Sequence, residues 1–201
     1  ATPHLSEHWS ALIRRPKVLI ICAAGALNYA PVVAILSQTM PIAVGKGLSP
    51  ATGVGAVSLI GIAALCGTLI SGLLVDRFWA PAVAFAVNMI SAIGCLALLS
   101  GDVHPAMFYG SAFLIGLSQG AELDVVAYMI SRYFGLRSYA TIYGLSVLTI
   151  GLAAAVFTSG IGELYDVFGN YDVAIMAAAG SFALAALCYL LMGRYPEVAP
   201  S

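Results

Sequence analysis

The chain has 201 residues, of which 61% are hydrophobic and only 8% charged; its formal net charge is −1 and its mean hydropathy +0.99. Soluble domains carry about 25% charged residues, so a water-soluble globular protein is excluded, and the near-neutral balance supplies no field for binding nucleic acid. The composition fits a helical protein that crosses the bilayer several times.

Residues 4–15 place Leu5, Trp9, Leu12 and Ile13 on one side and lead into Arg14, Arg15 and Lys17. That pattern predicts a short interfacial helix within a cytoplasmic linker, residues 1–16. Residues 17–195 hold six apolar spans, and residues 196–201 read as a cytoplasmic tail. The first apolar run has no small-residue cleavage site at its end and is followed by more spans, so it reads as a span and not a signal peptide.

The first span, residues 17–44, carries Asn28, Tyr29, Ser37, Gln38 and Thr39, with Pro31 and Pro41 inside it. Two prolines in one span predict kinks. Residues 45–50 form a turn, with Ser49 as N-cap and Pro50 at the first helical position of the second span. That span, residues 51–75, is rich in glycine, which suits close helix packing. The third, residues 81–100, is bland apart from Asn88 and Ser91.

The fourth span, residues 105–133, contains two carboxylates, Glu122 and Asp124. Charges at bilayer depth are expensive and normally face a protein interior or a water-filled path. At about 100° per residue the two acids point about 160° apart, so they cannot do the same job. Asp124 continues a stripe with Gly116 and Gly120, a GxxxG pattern that reads as a helix-packing face. Glu122 follows Ser118 and Gln119, so its side reads as wet or hydrogen-bonded, and Glu122 is the candidate for loading and releasing a proton. Either acid can instead be structural, tied to a Ser, Tyr or Arg of a neighbouring helix.

The fifth span, residues 138–164, is dotted with hydroxyls, including Tyr143 and Ser146, and the sixth, residues 173–192, is almost purely apolar. Two triplets of spans thus repeat one order, two polar spans and then a bland one. This predicts a three-plus-three inverted repeat in which spans one, two, four and five line a polar pathway and three and six face lipid. Candidate pathway residues are Asn28, Tyr29, Gln38, Thr68, Gln119, Glu122, Tyr143 and Ser146. Seven of the eight basic residues fall on the side of the two termini and only Lys46 on the other, which predicts cytoplasmic termini. The sequence has no nucleophile–base pair, metal-ligand cluster or phosphate-binding loop, so an enzyme is set aside and no cofactor or metal is expected. A six-helix channel or scaffold would need a ring of polar pore residues to be favoured.

After the second span, Gly72, Asp76 and Arg77 match the G-x-x-x-D-R motif between helices two and three of the major facilitator superfamily. A degenerate copy lies between helices eight and nine there, and Trp79, Ala80 and Pro81 make this copy degenerate too. The chain therefore resembles the C-terminal six-helix half of such a transporter. Ser131–Arg137, Tyr143-Gly144 and the run Gly162, Asp166, Gly169, Tyr171 resemble its oxalate/formate–monocarboxylate branch. The resemblance implies a secondary transporter half in the bacterial inner (plasma) membrane, paired with an N-terminal six-helix half and moving a small organic solute, with drug efflux as the rival activity. It also implies a cytoplasmic gate motif at Gly72, Asp76 and Arg77, to which Arg132 at the same level can contribute. Thr68 stands where many branch members place the cation expected to hold a substrate carboxylate.

Overall fold

The computed structural model describes residues 15–100 and 103–195, and six helices make up nearly all of that chain. They are α1 (Pro16–Gly45), α2 (Pro50–Val75), α3 (Ala80–Ala97), α4 (Pro105–Phe134), α5 (Leu136–Phe168) and α6 (Asp172–Leu190). All six are long and apolar enough to cross a membrane. Even α3, at 18 residues, extends about 27 Å, close to the hydrocarbon thickness of a bilayer. The expected interfacial helix at residues 4–15 and tail at 196–201 lie outside the described residues, save for Arg15.

Proline and polar caps set the starts of four helices. Pro16, Pro50, Pro81 and Pro105 each occupy one of the first two positions, where a missing N–H costs nothing. Ser49 accepts a hydrogen bond from the Thr52 backbone N–H at 3.3 Å, as expected of an N-cap. Between α4 and α5 the chain turns through Gly135 at φ +72°, a conformation that strains any residue with a Cβ.

Helix α1 runs through both internal prolines. Pro31 has no N–H to give the carbonyl of Leu27, one turn earlier. That carbonyl accepts instead from the Ser181 hydroxyl of α6, at 2.6 Å. In a bilayer a freed backbone group needs such a replacement from a neighbouring helix, because no water competes to supply one.

The packing repeats under a shift of three helices. Helix α2 packs chiefly on α4 and α5 chiefly on α1; α3 packs on α4 as α6 does on α1; and α3 and α6 pack on each other. This is the three-plus-three arrangement. The two members of each pair are not equally covered: 61% of the most apolar stretch of α1 is buried, but only 22% of α2 and 17% of α5. Helices α3 and α6 are as buried as α4, at 50% each. One face of the third and sixth spans packs into the bundle, while the other exposes apolar side chains such as Ile93, Leu96, Met176 and Leu187, as a lipid-facing surface requires.

The α2–α4 crossing is tight because both helices present glycine. A side chain at Gly67 would meet the Leu117 carbonyl, one at Gly116 the backbone of Ile60, and one at Gly120 the Ala64 carbonyl. The Thr68 hydroxyl donates to the Gly120 carbonyl at 2.8 Å across this crossing. Two large apolar clusters fill most of the bundle, with a small third one at Ala34, Ile161 and Ala174. Of the large two, one gathers Val18, Ile21, Val83, Met129 and Ile130; the other gathers Ile35, Ile60, Phe108, Ile115 and Phe182.

Candidate functional site

Between the two large apolar clusters lies a thin polar layer. Asn28 of α1, Asn88 and Ser91 of α3, Ser118 and Glu122 of α4, and Ser146 of α5 are all buried. The Ser118 hydroxyl donates to the Asn28 side-chain oxygen at 3.1 Å, and the Asn88 amide donates to the Ala84 carbonyl at 2.8 Å. Among the described residues, Glu122 is the only buried one that carries a charge in its ordinary state, at 3% exposure. Neither of its carboxylate oxygens has a hydrogen-bond partner, and neither does the Asn88 oxygen.

Glu122, Asn28, Asn88 and Tyr189 line one small cavity, walled by apolar groups such as Val87 and Val125. Its volume is about 10 Å³, room for a single water-sized species. A charged carboxylate here, without a counter-charge, carries a desolvation cost of several kcal/mol. The group must therefore be neutralised, by a proton or by a cation.

The predicted pathway residues divide into two sets. Asn28, Glu122 and Ser146 lie inside the bundle. Of the two expectations for the side of Glu122, wet or hydrogen-bonded, the structure fits the second: Ser118 beside it is buried and bonded to Asn28, and the cavity is lined by residues of α1, α3, α4 and α6. Ser146 donates back to the Ile142 carbonyl at 2.9 Å and sits 3.4 Å from the Cys22 sulfur. Tyr29, Gln38, Gln119 and Tyr143 are half-buried and Thr68 is exposed. Tyr143 stacks on Tyr139, with ring centroids 5.6 Å apart.

Gly116 and Gly120 form the packing face expected of them, but Asp124 does not. It is exposed, one turn past the point where α2 and α4 are in closest contact. Gly72, Asp76, Arg77 and Arg132 are all exposed, and among the described residues they make no ion pair. Two cations at this end sit on aromatic rings: Lys17 lies 4.8 Å from the Tyr133 centroid and Arg132 5.2 Å from that of Tyr195. Tyr133 also accepts from Trp79 at 3.3 Å and donates to the Gly193 carbonyl, while Tyr195 accepts from the Ala80 N–H at 3.0 Å.

Two features of the structure lie outside the sequence-based set. Asn88 and Tyr189 join the buried site from the two spans that read as bland. At the opposite end of the bundle, Lys46 pairs with Asp172 at 2.6 Å, and the Tyr171 hydroxyl donates to Gln38 at 3.2 Å. Burial, then the neighbouring Tyr165 and Asp166, raise the Tyr171 phenol above its ordinary range, which keeps it a donor.

The sequence profile of the Major Facilitator Superfamily matches residues 1–158. The chain belongs to this superfamily. Within the superfamily, it is 30% identical over 99 residues to the "Uncharacterized MFS-type transporter YhjX" of Escherichia coli K12, a stretch covering 49% of this chain and 25% of that protein. The crystal structure of a variant of the E. coli fucose:proton symporter, FucP, superposes with a TM-score of 0.78 at 19% identity, over 94% of this chain and 46% of that one. The chain thus spans a quarter of its curated relative and under half of its structural neighbour. The fold is that of half a major facilitator.

Proposed function

We propose that this chain is the C-terminal six-helix half of a secondary active transporter, which moves a small organic solute by alternating access against an N-terminal half. Glu122 is its proton-loading group. The observation that carries this reading is the burial of Glu122 in the apolar bundle without a hydrogen-bond partner. A carboxyl held there is inexpensive when neutral and costly when charged, so its loading state is coupled to any motion that opens the cavity to water. Proton symport by the structural neighbour FucP is in keeping with this.

The solute class follows from the sequence resemblance to the oxalate/formate–monocarboxylate branch, which suggests a monocarboxylate-like anion. Thr68 then leaves the substrate-holding cation to the other half. The same residue favours the second reading, efflux of a drug-like or neutral solute, since its hydroxyl is spent on the Gly120 carbonyl. The basic residues Arg15, Lys17, Arg77, Arg132, Arg137 and Arg194 support cytoplasmic termini, with the Lys46 loop outside.

The test is Glu122→Gln in the complete transporter, reconstituted in liposomes. Proton-driven uptake is lost while substrate exchange and expression persist. Uptake with unchanged pH dependence would show that Glu122 is structural and that the proton moves elsewhere.

A further inference from the structure

The cavity beside Glu122 presents an imbalance of donors and acceptors. Three oxygen atoms, both of Glu122 and one of Asn88, have no hydrogen-bond partner. The Asn88 oxygen is fixed as an acceptor, because its amide nitrogen already donates to the Ala84 carbonyl. Both side chains are at least nine-tenths buried, Glu122 at 3% and Asn88 at 1% exposure. A protonated Glu122 can donate its O–H to the Asn88 oxygen, which leaves the other carboxyl oxygen without a partner. A neutral water supplies two O–H groups but leaves the carboxylate charge uncompensated. A cation satisfies all three oxygens and the charge together.

We propose that this cavity is a monovalent-cation site, in which sodium or lithium is held between the Glu122 carboxylate and the Asn88 side-chain oxygen and competes with the proton there. This rests on the reading of Glu122 as the ion-loading group and adds a second ion to it. The charge of the ligand follows from the surroundings. Besides Glu122, the residues lining the cavity are Asn28 from α1, Asn88 from α3, Tyr189 from α6, and apolar side chains of α3 and α4; among the described residues no other charged group faces it. A divalent ion would leave one charge unpaired in an apolar interior, where that is costly. Carboxylate and amide oxygens are hard ligands, suited to small hard cations. The cavity admits one water-sized species, so the ion must exchange its hydration shell for protein oxygens; Tyr189 is a further oxygen donor at hand, and the Asn28 oxygen, which accepts from Ser118, keeps one lone pair. Every one of these residues belongs to this chain, so binding needs no contribution from a second half.

The experiment is thermal unfolding of the full 201-residue chain in detergent, with sodium chloride titrated against choline chloride at constant ionic strength. At about pH 8.5 saturating sodium raises the midpoint by roughly 5 °C, and at about pH 5.5 the rise disappears as protons occupy the carboxylate. Lithium acts like sodium, while potassium and calcium do not. Glu122→Gln removes the response, and Asn88→Ala weakens it. Radioactive sodium bound by the unsubstituted chain gives an independent reading, one ion per chain, displaced by acid. Equal midpoints in sodium and choline at both pH values, with no bound sodium, would overturn the proposal and leave the proton as sole occupant. So would a sodium response that survives Glu122→Gln. Sodium insensitivity combined with proton coupling that depends on Glu122 would reject this inference alone. Sodium binding combined with pH-independent uptake would reject only the proton reading.

Discussion

Gly120 sets how closely α2 and α4 approach. A Cβ there would collide with the Ala64 carbonyl, part of a helix backbone that cannot step aside without moving the whole crossing. Gly120→Ala is therefore expected to destabilise the bundle by about 1–3 kcal/mol, the usual cost of overpacking. The control lies on the same helix: a Cβ at Gly110 meets nothing within 4 Å, so Gly110→Ala is neutral or slightly stabilising. Unfolding midpoints of the two variants check this, and equal losses would mean that the α2–α4 contact yields easily. Two residues further along, the paired acids show how far a residue can be read from sequence. Their angular separation follows from helix geometry, and the structure does put Glu122 and Asp124 on different sides. Which side is the interior depends on the helices behind each face: Asp124, read as a packing residue, is exposed, and Glu122 is buried. Ser118, one turn before Glu122, takes the hydrogen-bonded of its two expected roles and is bonded to Asn28 on another helix.

At the scale of elements, span positions were legible because apolar runs are punctuated by proline, glycine and capping residues. Each described helix begins and ends within four residues of the expected span. The roles of the bland spans were not legible. A lone Asn88 in an apolar helix carries no periodic pattern, and only the packing of α3 against α4 brings it to Glu122. The same is true of Ser181, whose partner lies 154 residues away. Its hydroxyl serves the Leu27 carbonyl, which the sequence shows to be freed by Pro31 but not how it is satisfied. Ser181→Ala is expected to cost about 1 kcal/mol, typical of an interhelical hydrogen bond in a membrane. In a Pro31→Ala background the Leu27 carbonyl regains a backbone donor, and the same substitution costs close to nothing. A double-mutant cycle on unfolding free energies measures the coupling. Additive losses would detach Ser181 from the proline.

The whole molecule is a bundle with two unequal sides. The side built from α1, α3, α4 and α6 is closed around the polar layer, while α2 and α5 display large apolar side chains, with Leu65 at 71% and Val156 at 74% exposure. Apolar exposure alone would suit lipid. The same surface, however, also carries Thr68 and, where α4 emerges beyond the α2 crossing, Asp124. An aspartate facing hydrocarbon costs about 2.5–3.5 kcal/mol by insertion scales, so this side needs protein or water against it. In the proposed transporter the N-terminal half would supply that cover. The chain by itself is accordingly expected to bind no solute productively and to give no uptake in liposomes. Co-expressed with an N-terminal half, it should co-purify as a one-to-one complex and regain transport. Asp124→Leu separates the two roles of this surface: it should leave the isolated chain as stable as before or more so, since a polar group leaves the exposed side, and weaken recovery of the complex. Robust uptake by a strictly monomeric 201-residue chain would overturn the argument, because a closed six-helix bundle would then have to provide the whole path.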